Sequence, residues 1–135
     1  MLECETVDPN RPDINDRTPL GGAAGYGHQG VVKLLLELEH VDPDRPDKHD
    51  LAPLGWAAFN RDQGVVKLLL EQVNVDPNRP DNNNQTPLGW AAENGHEGVV
   101  KILLEQENVD PNHQDKDDLT PLGLAALNGR EGVVK

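Results

Sequence analysis

The chain contains no serine and a single cysteine, Cys4. A serine nucleophile is therefore excluded, and the lone thiol cannot form an intramolecular disulfide, so a reducing, intracellular, cytoplasmic setting is expected. Aromatic residues are scarce, with two Trp, one Tyr and one Phe, which excludes a large aromatic core. Cations are scarce too: 12 Lys+Arg stand against 24 Asp+Glu, for a net charge of −12. Nucleic acid and anionic membranes need clustered Lys and Arg and are not expected as partners. A basic peptide or protein would be attracted, although an acidic surface also serves solubility. Long hydrophobic runs are missing. Leu34-Leu35-Leu36 is far too short to span a bilayer, and MLECETVDPN lacks the basic start and apolar run of a secretory signal.

What is present is repetition. Thr18, Ala52, Thr86 and Thr120 are spaced by 34 residues, as are Gly21, Gly55, Gly89 and Gly123, and Lys33, Lys67, Lys101 and Lys135. The units beginning at Ala52 and Thr86 agree at 21 of 34 positions. The period divides the chain into a partial unit over 1–17, whole units over 18–51, 52–85 and 86–119, and a partial unit over 120–135.

Each unit carries the same local signals. Thr86 is a good N-cap and Pro87 suits the first helical position, where a missing N–H costs nothing. A short first helix through Ala91-Ala92 stops at Asn94-Gly95. A second helix begins near Glu97, and its apolar residues 99, 100, 102, 103 and 104 cover too much of the circumference for a one-sided surface helix. It is expected to lie sandwiched between neighbours. The segment NVDPNHQDKDDL is turn chemistry. Stacked helix pairs of this kind form a solenoid whose interior exists only between units.

TPL-x-x-AA-x-N-G-H-x-x-VV-x-x-LL, recurring in phase along the chain, resembles the ankyrin repeat. The resemblance implies an all-α solenoid of helix pairs joined by hairpin-like fingers, acting as a non-catalytic protein-binding module without cofactor or metal. The near-identical units with VDPNRPD in the loop are also similar to long fungal ankyrin arrays attached to sensor or signalling proteins. Two departures stand out. The period is one longer than the family's 33, which places the extra residue in the VDPNRPD loop. Gly21, Gly55, Gly89 and Gly123 replace the family's histidine after TPL, so that histidine's hydrogen bond is absent.

Glycine inside a helix costs about 1 kcal/mol relative to alanine, so its recurrence calls for a steric reason. The expectation is that the bare backbone admits Trp56 or Trp90 of an adjacent unit. Those tryptophans have two possible roles, packing over glycine or anchoring a partner. His28, His40, His49, His96, His113 and Cys4 show no zinc spacing, and His28 and His96 match the family's structural Gly-His turn. The Asp/Asn-rich loops lack the closing Glu of a calcium loop. They are better explained by a hairpin that needs residues tolerant of positive φ, and the resemblance puts Asp50, Asn84 and Asp118 where the family's hairpin usually carries glycine. The sequon Asn84-Gln85-Thr86 is read as chance, and the Lys33/Glu37, Lys67/Glu71 and Lys101/Glu105 series as a solvated face.

Packing holds the framework constant, so binding residues are sought where units differ. In the first helices these are Tyr26, Phe59, Glu93, Asn94 and Leu127. In the fingers they are Lys48, His49, Leu51, Asn82, Asn83, Gln85, Lys116, Asp117 and Leu119. The resemblance places both sets on the concave face and fingertips through which ankyrin repeats bind proteins, and aromatic anchors there dominate binding energy. Neutral drift at unconstrained surface positions is the alternative. Leu122, Leu124, Val133 and Val134 at one end, and Met1 and Leu2 at the other, look uncapped. The chain is then a piece of a longer array, or copies join end to end where Lys135 breaks off and Met1-Leu2-Glu3 would continue. The second case would make it a structural spacer or a self-associating element.

Overall fold

The computed structural model describes residues 8–134. Met1, Leu2, Glu3, Cys4 and Lys135, on which the end-to-end junction and the thiol reading rest, lie outside the described residues. Eight helices and no strand occur among the described residues. The four first helices are α1 (Pro19–Gly25), α3 (Pro53–Phe59), α5 (Pro87–Glu93) and α7 (Pro121–Leu127). The second helices are α2 (Gln29–Leu36), α4 (Gln63–Leu70), α6 (Glu97–Leu104) and α8 (Glu131–Val134).

The boundaries follow from capping chemistry. The Thr18, Thr86 and Thr120 hydroxyls accept the N–H of Gly21, Gly89 and Gly123 at 3.1, 3.2 and 3.1 Å. Ala52 offers no such oxygen. Each first helix is followed by a left-handed residue, Gly27, Arg61, Gly95 or Gly129, with φ of 65–70°. Arg61 is the only one of the four with a side chain, and it carries the left-handed penalty of about 1 kcal/mol.

The first helices lie side by side in one layer and the second helices in another, each touching its predecessor and its successor. Ala57, Ala58, Ala91 and Ala92 let the first helices approach closely, and Val65, Val66, Leu69, Val99 and Leu103 fill the space behind them. This interior is continuous across units, as a one-dimensional stack requires. The expected sandwiching of α6 holds for Val99, Val100, Ile102 and Leu103, but Leu104 is 51% exposed. The helix has neighbours in α4, α5 and α8 and keeps a fourth, wet stripe through Lys101, Leu104 and Glu105. Lys33, Lys67 and Lys101 are exposed and form no ion pair with Glu37, Glu71 or Glu105. Of the apolar residues expected to stand open near the end of the chain, Leu124 is in fact buried, because α7 packs it against α5.

The loops behind the second helices are stapled to one another. The Asn10 amide donates to the His40 carbonyl at 2.6 Å and accepts the Asp42 N–H at 2.7 Å. Asn78 repeats both bonds with Asn108 and Asp110. Between them stands Asp44. Its Oδ2 accepts the Asp76 N–H at 3.3 Å and lies 3.5 Å from Arg79, while Oδ1 is buried without a partner. Burial pushes the Asp44 carboxyl above the usual carboxylate range, against the pull of the Asp76 N–H and Arg79.

Candidate protein-binding face

Four short fingers, 13–17, 47–51, 81–85 and 115–119, project beside the first helices. Each closes by a backbone bond from its first N–H to its last carbonyl: Asp13 to Arg17, Asp47 to Leu51, Asp81 to Gln85, and Asp115 to Leu119, at 2.9–3.0 Å. The fourth residue is left-handed in every finger, at Asp16, Asp50, Asn84 and Asp118, with φ of 58–63°. Short Asp and Asn side chains tolerate this geometry, as the resemblance implied for Asp50, Asn84 and Asp118. The first aspartate is the hub. Its Oδ1 accepts two backbone N–H groups, those of Asn83 and Gln85 for Asp81 and of Asp117 and Leu119 for Asp115. In the first finger the Arg17 and Asn15 N–H groups hold the Asp13 carboxyl below the usual range. Successive fingers are linked by Lys48 N–H to Asn15, Asn82 N–H to His49 and Lys116 N–H to Asn83, at 2.9–3.0 Å.

Trp56 and Trp90 fasten two fingers to the helices. Their indole N–H groups donate to Asp47 Oδ2 and Asp81 Oδ2, each at 2.8 Å. The recurrent glycines have a different reason from the one expected. A Cβ on Gly55 would strike Leu51, and one on Gly89 would stand 2.9 Å from Gln85 Cγ. Gly21 and Gly123 face Arg17 and Leu119 in the same way, at 3.3 and 3.6 Å. Each glycine therefore receives the last residue of the finger just before its helix. A tryptophan of an adjacent unit does not occupy that space. The glycine that Trp56 does meet is Gly25, from whose Cβ position its ring lies 3.7 Å.

The face opens into grooves. One, of about 360 Å³, gathers His49, Leu51, Phe59, Asn82 and Asn83 with Trp56, Trp90 and Asp81. Phe59 stands edge-on to both indoles, with ring centroids 6.3 Å from Trp56 and 5.0 Å from Trp90. A second groove, of about 320 Å³, brings together Asn83, Gln85, Glu93, Lys116, Asp117, Leu119 and Leu127 on the other side of Trp90. Tyr26 lies apart, in a shallow depression with Arg11 and Arg17. Gln85 is only 5% exposed, because it is pressed onto Gly89, so it presents little surface to a partner. Lys48 lines none of these grooves, and Asn94 spends its amide on the Trp90 carbonyl at 2.9 Å. Asp81 and Asp115 line grooves but escape a search for variation, because the first finger residue is Asp in every unit. The tryptophan position does vary, as Gly22, Trp56, Trp90 and Leu124, and the sequence left both tryptophans open to an anchoring role. The usable signal was an indole N–H that needs an acceptor.

His96 and His28 have structural partners. His96 Nε2 donates to the Phe59 carbonyl at 2.8 Å, and Nδ1 accepts from Arg61 Nε at 3.3 Å. Arg130, one period later, makes the equivalent reach to the Glu93 carbonyl at 3.0 Å. His28 stacks on Tyr26 with ring centroids 6.2 Å apart. Among the described residues, no three His, Cys, Asp or Glu side chains converge as a metal site would require.

Paired helices in register, linked fingers and a grooved front define a repeat protein built to offer one extended surface. A sequence model for ankyrin repeats in three copies matches residues 1–81 and 73–135, so the chain belongs to the ankyrin-repeat family. Ankyrin repeats are generally protein–protein interaction modules and generally non-catalytic. No curated protein matches the chain, and the likeness to fungal arrays has no relative behind it. No helix among the described residues is long and apolar enough to cross a membrane.

Proposed function

We propose that the face formed by the fingers and first helices binds a protein or peptide, as the recognition part of a larger protein. The observation that carries this is the gathering of the variable residues. Changes scattered over 34-residue intervals in sequence meet in two adjoining grooves centred on Trp90. Neutral drift has no reason to collect aromatic and apolar residues there. Phe59 and Leu127 remain 38% and 68% exposed on this face, where aromatic and apolar anchors are effective.

The test is affinity capture from host extract with three forms of the chain. Phe59→Ala combined with Leu127→Ala should lose the captured partner, whereas Lys33→Ala combined with Lys67→Ala, on the second helices, should retain it. Equal capture by all three forms would refute the reading.

A further inference from the structure

Arg17 and Trp56 already show what this surface does with a cation. The Arg17 guanidinium carbon lies 5.0 Å from the Trp56 ring centroid. One period later the tryptophan recurs as Trp90, but Leu51 stands in place of the arginine. The frame therefore repeats the aromatic acceptor without the cation. What remains beside Trp90 is the cleft of about 360 Å³ bounded by Trp56, Phe59, Leu51 and His49.

We propose that this cleft receives an arginine side chain of the protein partner, whose guanidinium stacks on Trp90 as Arg17 stacks on Trp56. The inference rests on the binding face proposed above and names the chemistry that the face selects. Three observations support it. Both indole N–H groups are bound by carboxylates, Asp47 and Asp81, at 2.8 Å, and this polarises the rings toward a more negative π-face, the part that attracts a cation. The four fingers carry eight aspartates against Arg17, Lys48 and Lys116, within a chain of net charge −12, so the field around the cleft favours a positive group. The walls are largely aromatic and aliphatic, which suits the weakly hydrated, planar guanidinium better than a strongly hydrated ammonium.

The experiment is an NMR titration of the full chain, following the indole N–H resonances, with the Trp90 signal assigned by its absence in Trp90→Leu. Leu124 occupies the equivalent place in α7, so that variant suits the frame. The probes are three blocked peptides, acetyl-Gly-Gly-X-Gly-Gly-amide, with X arginine, lysine or the neutral isostere citrulline. The arginine peptide should shift the Trp90 signal saturably and bind at least about fivefold tighter than the citrulline peptide, with lysine between them. Phe59→Leu, which installs the side chain that Leu127 supplies at the same place in α7, should weaken the arginine peptide severalfold. Leu51→Arg, which supplies the cation internally, should abolish its effect. Equal binding of citrulline, tighter binding of lysine, or an unchanged response in Leu51→Arg would each overturn the proposal. If those results came with partner capture still lost in the Phe59/Leu127 variant, the arginine would be refuted and the binding face would stand.

Discussion

The unit beginning at Ala52 and the unit beginning at Thr86 share 21 of 34 residues and the same pair of helices, yet they are held together differently. The first lacks a threonine cap, places Arg61 where the second has Gly95, and closes with a finger hub, Asp81, that accepts three N–H groups. The second has its cap and its glycine, but its hub Asp115 accepts only two, because Leu124 replaces the tryptophan. Identity of frame thus conceals an exchange: stronger fastening of the finger in one unit, better ends on the first helix in the other. Local hydrogen bonds set these differences, and the shared core does not.

The largest break in that comparison should come from the hubs. Asp81→Ala leaves the Asn83, Gln85 and Trp90 N–H groups unpaired and should cost about 3 kcal/mol, against about 2 kcal/mol for Asp115→Ala, at roughly 1 kcal/mol per bond. Urea melts measure both, and equal losses would show that the indole bond contributes nothing.

Asp44→Asn comes next. Asn10 and Asn78 donate to carbonyls thirty residues on, and an amide at 44 is placed to do the same for Asn74. Relieving the orphaned Oδ1 should stabilise by about 1.5 kcal/mol at neutral pH. The pH dependence sharpens this. Burial raises the folded pKa of Asp44 above 3.8, so the folded form holds the proton more tightly than the unfolded chain. The cost of the ionised group is present at neutral pH and is relieved as pH falls through the folded value toward 3.8. The advantage of the asparagine variant should therefore shrink across that window. Asp13, whose folded pKa is lowered, loses its contribution as pH falls through that lowered value, but it does so in both proteins and cancels in the difference.

Two smaller changes make the units more alike. Ala52→Thr restores the missing cap and should stabilise by about 1 kcal/mol; an unchanged urea midpoint would show that the Gly55 N–H is already satisfied. Arg61→Gly removes left-handed strain but forfeits the bond to His96 and some chain stiffness, for a net gain of about 0.5 kcal/mol. Thermal melts of Arg61→Gly and Gly95→Arg should move in opposite directions.

Much of the fold was legible because its signals are local. Thr-Pro starts, Asn-Gly stops and left-handed Asp50, Asn84 and Asp118 each follow from a few neighbouring residues. The groove was legible only in outline. Variation pointed to Phe59, Leu127, Glu93 and the fingers, but gave no sign that Gln85 is buried, that Asn94 is committed to a carbonyl, or that Asp81 belongs to the groove. At the recurrent glycines the expected neighbour was wrong for a definite reason. The sequence showed that a large group must lie over Gly55 and Gly89, and only the fold of the finger shows that the group is Leu51 or Gln85, four residues upstream.

By itself the sequence determined the period, the helix ends, the turns and the acidic character of the surface, since each depends on contacts within a few residues or on a sum over all of them. Tertiary structure alone decided which side chain fills each glycine, that both tryptophans bind a finger aspartate, and that Phe59 meets Trp90 across a unit boundary. The first two depend on how each finger folds back over the helix that follows it, and the third on the stacking of one helix pair against the next, a distance and an angle that no stretch of a single unit encodes.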